Sequence, residues 1–343
     1  MPDNLYVHFP FCRTKCSYCA LYSRAGVSQS DRDAYARRLA QEIKRTGDER
    51  RETLKTIYFG GGSPALCDLS VLTLVLRPLL GEETEFTVEL HPLDVTEEKL
   101  RELKDLGVNR ISMGVQSLDD ATLANMGRGY TVDEAERAFA RVKEHFDNAG
   151  IDLIVGYPGD EVKVVGVGER WNFKRLESWG LKHCSVYSLQ NERGLKGVPD
   201  DDWTLDRIRH FAKCLESMGL ERYEISNYAV PGYECRHNFA VWRGEDYLGL
   251  GDGACGRIGL KRTKFGTVDT VTPEFDVKER ALFRLRTREG LDLRSLSSLP
   301  NYPDVSNILA KHVGLGLLTQ TGTVYRLTDR GMEVCDSILA ELV

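Results

Sequence analysis

The chain has 343 residues, 41% of them hydrophobic and 29% charged, with a formal net charge of −6. That balance fits a soluble globular chain too long for one small core, and it lacks the basic excess that nucleic acid or an anionic membrane would ask of a partner. Charges interrupt every apolar run before a membrane span is reached, and Met1–Phe11 lacks a secretion signal's basic and apolar regions, so a cytoplasmic protein with at most peripheral membrane association is expected.

In chain order, β-rich runs at Leu5–Phe11, Thr56–Phe59, Phe86–Leu90, Arg110–Gln116, Ile151–Val155 and Cys184–Leu189 alternate with helical patterns. The helices are expected over Asp31–Arg45, Val71–Leu80, Glu97–Leu106, Val132–Phe146 and Lys174–Trp179. In the fourth, Thr131 and Glu134 spell a capping box, and Ala135, Ala138, Phe139, Val142 and Phe146 recur on one face. Such alternation predicts an α/β chain with a parallel sheet and helices outside it. Six units are too few for an eight-stranded barrel, so an open, partial (β/α)6 barrel is expected. Beyond a helical stretch near Thr204–Met218, the glycine- and aromatic-rich segment Tyr223–Gly256 fits no further β-α unit. From about Thr272, helices, a hairpin-like Thr323–Leu327 and a last helix after Thr328 predict a small helical, winged-helix-like module. Residues 271–343 hold nine Lys/Arg against ten Asp/Glu, which is not the basic face of a DNA reader. The expected units are 1–222, 223–271 and 272–343.

Nine cysteines in a reducing compartment do not make a disulfide framework. Three of them form Cys12-x-x-x-Cys16-x-x-Cys19 directly after the first strand, with Tyr18 between the last two. Three thiolates can hold three irons of a cubane cluster and leave the fourth open to a ligand. Zinc is the rival and would need a fourth donor, for which His8 is the nearest candidate. Gly60-Gly-Gly-Ser63-Pro64 follows the second strand, where glycine lets a backbone approach a ligand closely. Glu89 ends the third strand, and a carboxylate there needs a polar or cationic partner. Gln116, Arg128 and Asp152 add polar groups near the carboxyl ends of strands, where ligands collect in parallel α/β folds.

The cysteine loop with its aromatic residue resembles the radical S-adenosylmethionine (SAM) superfamily. Tyr6-x-His8-x-Pro10-Phe11-Cys12, Gly60–Pro64, Asn109–Ser117 and Asp152-Leu-Ile-x-Gly-x-Pro158 are similar to the oxygen-independent coproporphyrinogen III oxidase family. Tyr223–Asn238 and Asp246–Gly251 resemble its haem-chaperone branch. The resemblance implies a [4Fe–4S] cluster on Cys12, Cys16 and Cys19, with SAM on the open iron touched by Tyr6, Gly61 and Glu89. Tyr18, Gly62, Ser63, Gln116, Arg128 and Asp152 match positions that meet a second SAM in the oxidase. His237-Asn-Phe-Ala-Val241-Trp242 matches a haem-binding motif of the chaperone branch, with Val241 where that motif has Tyr. Further departures are Cys255 for a His, His91 for an Asn, and a shortened Val/Gly-rich stretch over Asp160–Arg170. Leu21 stands where the oxidase has a further cysteine. The implied function is a haem chaperone that delivers haem to apo-haemoproteins and takes an electron donor for its cluster. The alternatives are a SAM-dependent coproporphyrinogen III oxidase or another tetrapyrrole-acting radical enzyme, and a redox or zinc protein without SAM chemistry.

Overall fold

The computed structural model describes residues 1–47, 52–160, 173–299 and 302–342. The Val/Gly-rich stretch after Asp160 lies outside them. Six strands, β1 (Asn4–Phe9), β2 (Thr56–Gly61), β3 (Glu85–Leu90), β4 (Arg110–Gln116), β5 (Asn148–Val155) and β6 (His183–Ser188), run parallel in chain order. They form the partial barrel, with its apolar core between sheet and helices: Leu5, Val7, Ile57, Phe59, Phe86, Val88, Ile111 and Ile151 are buried there. β1 stops at Phe9 because Pro10 has no N–H for a ladder. Phe11 and Cys12 then pair in parallel with Arg24 and Ala25.

Helices form where expected at Gln29–Gly47, Glu97–Leu106, Val132–His145, Phe173–Ser178 and Asp201–Ser217, and the Thr131–Glu134 capping box is made. The helix expected over Val71–Leu80 is broken into three short turns, the last carrying Pro78 at its start, a residue with no N–H for a continuing helix. Asp120–Met126 is a helix that the sequence reading missed. It is capped by Asp119 and ended by Gly127 at φ +77°, a left-handed C-terminal stop, and it delivers Arg128 to the barrel mouth.

Residues 223–256 add no further β-α unit of the parallel kind, as expected, but they do extend the sheet. β7 (Glu221–Arg222) and β8 (Asn227–Ala229) extend the sheet antiparallel to β6. A short helix, Arg236–Trp242, then passes under the amino ends of the strands, and β9 (Tyr247–Leu250) lies parallel beside β1. β10 (Cys255–Ile258), β11 (Lys261–Lys264) and β12 (Thr267–Thr270) continue antiparallel from β9. Gly249 is required in β9, because a Cβ there would sit 1.9 Å from the Cys255 carbonyl oxygen.

The C-terminal module is helical and winged-helix-like, with a core of its own around Leu285, Leu309, Leu318 and Ile338. Its helices include Pro273–Leu285, Tyr302–Gly314 and Cys335–Leu342. Its small sheet joins Leu291–Asp292, Val324–Leu327 and Leu318–Thr321.

Buried charges fasten the module to β10 and β11. Arg257 Nη2 lies 2.8 Å from Asp276 and 2.9 Å from Glu279, while Arg262 and Arg280 also bind Asp276. Burial alone would raise the Asp276 pKa, but hydrogen bonds from Arg257, Arg280 and Arg262 outweigh it and hold the carboxyl well below the usual range. Asp276→Asn leaves a buried guanidinium short of charge and is expected to cost about 3 kcal/mol. A depressed folded pKa contributes stability above the unfolded value, roughly 4, and loses it as pH falls. Urea unfolding of wild type and variant should therefore differ at neutral pH and converge in acid. A difference independent of pH would rule out the ionic origin.

Candidate functional site

A cavity of about 930 Å³ runs down the inside of the barrel, and Cys12, Cys16, Cys19, Tyr6, Tyr18, Gly61, Gly62, Glu89, Gln116, Arg128, Asp152 and His237 all reach its wall. Ser63 is the exception. It is buried and its hydroxyl donates to Asp94, which also takes an ion pair from Arg13 at 2.6 Å.

The three cysteines are half-buried free thiols on one loop at the carboxyl end of the barrel. That loop is held from several sides. Ser17 N donates to Met126 O at 3.2 Å, Lys15 Nζ donates to Leu21 O at 2.8 Å, and Arg193 donates twice to Cys19 O, at 2.9 and 2.7 Å. Arg128 Nη1 reaches Cys16 Sγ at 3.4 Å, while its Nη2 donates to Gly114 O at 2.7 Å and its Nε to Tyr130 at 2.9 Å. A fixed guanidinium thus faces a sulfur that needs negative charge to bind iron. Among the described residues no three His, Cys, Asp or Glu side chains converge on the position of a single metal ion. His8 is also committed: Nε2 lies 2.9 Å from Tyr22 O and Nδ1 2.9 Å from Tyr6 OH. His8 is therefore not available as the fourth donor that zinc would need, whereas three corners of a cubane need only three thiolates.

Beside the loop, the glycine run leaves room that a side chain would take. A Cβ on Gly61 (φ +107°) would strike the His8 ring at 2.5 Å, and one on Gly62 the Phe11 carbonyl at 2.3 Å. Glu89 accepts from Tyr58 OH at 2.8 Å and from Gly61 N at 3.0 Å. Burial and the nearby Asp152 charge nevertheless push its pKa up to about 7. Asp152, in the middle of β5 rather than at its end, accepts from Ser112 Oγ at 3.1 Å, and burial raises its pKa too. Gln116 ends β4 at a bulge with φ +72°, a strained backbone of the kind that collects at ligand sites.

His237 lies elsewhere. It is 3% exposed at the amino end of the barrel, opposite the cysteine loop, with ring centroids 5.2 Å from Tyr58 and 6.3 Å from Tyr6 and Tyr247. Its Nδ1 is 2.7 Å from Thr56 Oγ1, and burial with the Arg110 charge lowers its pKa to about 3. Trp242 turns to the C-terminal module, edge-on to Phe283 at 5.5 Å and under the Arg286 guanidinium. Cys255 is exposed on the cavity wall, whereas Cys235 is buried against Glu85, and burial drives its thiol up to about 12. The rest of this floor was missed in the sequence. Asn4, Thr56, Glu85, Arg110 and His183 are each the first residue of a strand and each buried. The available signal was a polar residue at the start of a β-run, as at Thr56 and Arg110, or immediately before it, as at Asn4, Glu85 and His183.

The profile of the Radical SAM superfamily matches residues 6–164. The chain is 32% identical to Heme chaperone HemW of Bacillus subtilis, over 99% of this chain and 100% of that protein. It is 33% identical to the Lactococcus lactis HemW over 78% of this chain and 73% of that one, and 29% identical to the Escherichia coli HemW over 98% and 97%. The coproporphyrinogen III oxidase HemN of Escherichia coli superposes with a TM-score of 0.82 at 21% identity, covering 99% of this chain and 89% of that one, a likeness of fold. Fold and cysteine loop define a radical SAM protein, a class that implies a [4Fe–4S] cluster and SAM. Within that class the chain belongs to the HemW family.

Proposed function

We propose that this chain is a cytoplasmic haem chaperone that binds haem inside the barrel on His237 and passes it to apo-haemoproteins. Cys12, Cys16 and Cys19 hold the cluster, and Tyr6, Gly61 and Glu89 hold SAM beside it. When both are bound, the chemistry supplied is reductive cleavage of the SAM sulfonium. Tyr18, Gly62, Gln116, Arg128 and Asp152 form the wall available to a second SAM, with Ser63 behind it, tied to Asp94. The observation that carries the haem reading is the buried, neutral imidazole of His237 on the wall of the cavity that the cysteine loop closes. Neutral imidazole is a common axial ligand of haem iron. Leu21, 57% exposed at the cavity rim, removes the extra thiol of the oxidase reading. Anaerobically reconstituted protein should load haem and transfer it to an apo-haemoprotein while leaving coproporphyrinogen III unconsumed. Consumption without haem binding would establish the enzyme instead. The expected partners are therefore haem, apo-haemoproteins and an electron donor for the cluster; among the described residues no helix is long and apolar enough to cross a membrane.

Glu89 gives this reading a pH signature. SAM carries an ammonium group, so it selects the ionised carboxylate. Because the ligand-free carboxyl titrates at about 7, SAM affinity should rise as pH increases through neutrality and fall as the proton returns. The same raised pKa makes the ligand-free fold lose stability as pH rises through that range, since the folded carboxyl holds its proton more tightly than the unfolded one. Glu89→Gln should weaken SAM binding about ten- to hundredfold above neutrality and flatten the pH profile, with iron content unchanged. A SAM titration identical to wild type at every pH would refute the role.

A further inference from the structure

The floor of the barrel contains a hydrogen-bond chain whose direction can be worked out end to end. Asn4, 2% exposed, places Nδ2 3.1 Å from Asp246 O. A main-chain carbonyl only accepts, so the amide nitrogen faces it and Oδ1 faces the other way. Oδ1 lies 2.9 Å from Thr56 Oγ1 and can only accept, which commits the single hydroxyl proton of Thr56. The remaining contact of that hydroxyl, 2.7 Å to His237 Nδ1, is then made with Thr56 as acceptor and His237 Nδ1–H as donor. His237 is 3% exposed and only its Nδ1 has a hydrogen-bond partner among the described residues, so the ring carries a single proton, on Nδ1. Its Nε2 is therefore an unprotonated lone pair, without a hydrogen-bond partner among the described residues, on a side chain that lines the cavity.

We propose that Asn4 and Thr56 are positioning residues that fix His237 in its Nδ1–H tautomer and so present Nε2 as the atom that takes the haem iron. The inference rests on the haem reading above. Histidines that bind metals commonly donate the other ring N–H to a fixed acceptor, which sets tautomer and orientation. The acceptor here is the first residue of β2, fixed in turn by the first residue of β1 and by the carbonyl immediately before β9. A His237 peptide N–H bond to Glu85 Oε1 at 3.0 Å holds the backbone of the ligand from the next strand.

The tautomer can be read without haem. In the wild-type protein labelled with ¹⁵N-histidine, the His237 signals should show Nδ1 protonated and Nε2 bare. Thr56→Val keeps the shape of the side chain and removes the acceptor, so the Nδ1–H state should lose its dominance and haem affinity should fall about ten- to hundredfold. At saturating haem the Soret band should return, because His237 is still present, and Thr56→Ser should restore both tautomer and affinity. A wild-type His237 protonated on Nε2 overturns the proposal, and so does Thr56→Val with an unchanged tautomer. If the tautomer shifts as expected while haem affinity stays at the wild-type value, the haem reading at His237 fails and the floor chain stands as a structural feature only.

Discussion

Replacing Cys12, Cys16 or Cys19 with alanine is expected to abolish cluster assembly: each variant should lose the iron, the acid-labile sulfide and the broad visible absorbance of reconstituted protein. On the proposed assignment each thiolate would supply one of three protein bonds to a cubane whose fourth iron is left to SAM, so the loss of one could not be made up by the other two. The nearest candidate, His8, is bound at both ring nitrogens. Alanine at Cys67 or Cys214 should leave iron and spectrum intact. The first is a buried core residue and the second lies half-buried on the helix Asp201–Ser217. Equal loss from all five variants would remove the assignment. The fold should survive in every case, because the cysteine loop is held mainly by other contacts, including Ser17 to Met126 and Arg193 to the Cys19 carbonyl.

His237→Ala should erase or strongly shift the Soret band of added haem while leaving the cluster spectrum untouched. The two sites lie at opposite ends of one cavity. The cysteines are on the loop after β1, and His237 is under the strand beginnings, bonded to Thr56 and Glu85. Losing the imidazole would remove the proposed iron ligand, and burial holds the neighbouring Tyr6 and Tyr58 phenols protonated, with pKa values well above the ordinary one, so neither offers the phenolate that iron would take in its place. Cys235→Ala should have no effect on the haem spectrum, since that thiol is buried against Glu85 and away from the cavity wall. If His237→Ala binds haem with the wild-type spectrum, the iron ligand is another residue. Cys255, exposed on the same wall, would be the next to replace.

What local chemistry encodes was legible along the chain. Hydrophobic runs and turn residues set the six parallel strands, and the Thr131 capping box set the start of one helix. The spacing of Cys12, Cys16 and Cys19 pointed to an open cluster, because those residues share one loop and need no distant partner. The floor of the barrel, by contrast, rests on contacts between residues far apart in the chain. The helix Arg236–Trp242 has no side-chain cap of its own at Cys235. Its first amides, Arg236 N and His237 N, are satisfied instead by the Glu85 carboxylate from about 150 residues earlier, so no local signal marks where it begins. β9 is only four residues long and carries a glycine inside it, which weakens a strand. It forms because β1 offers an open edge and because only glycine at 249 fits beneath Cys255. His237 consequently meets Asn4, Thr56 and Glu85 at a single point, and the protonation of its ring follows from contacts that no window of the sequence contains.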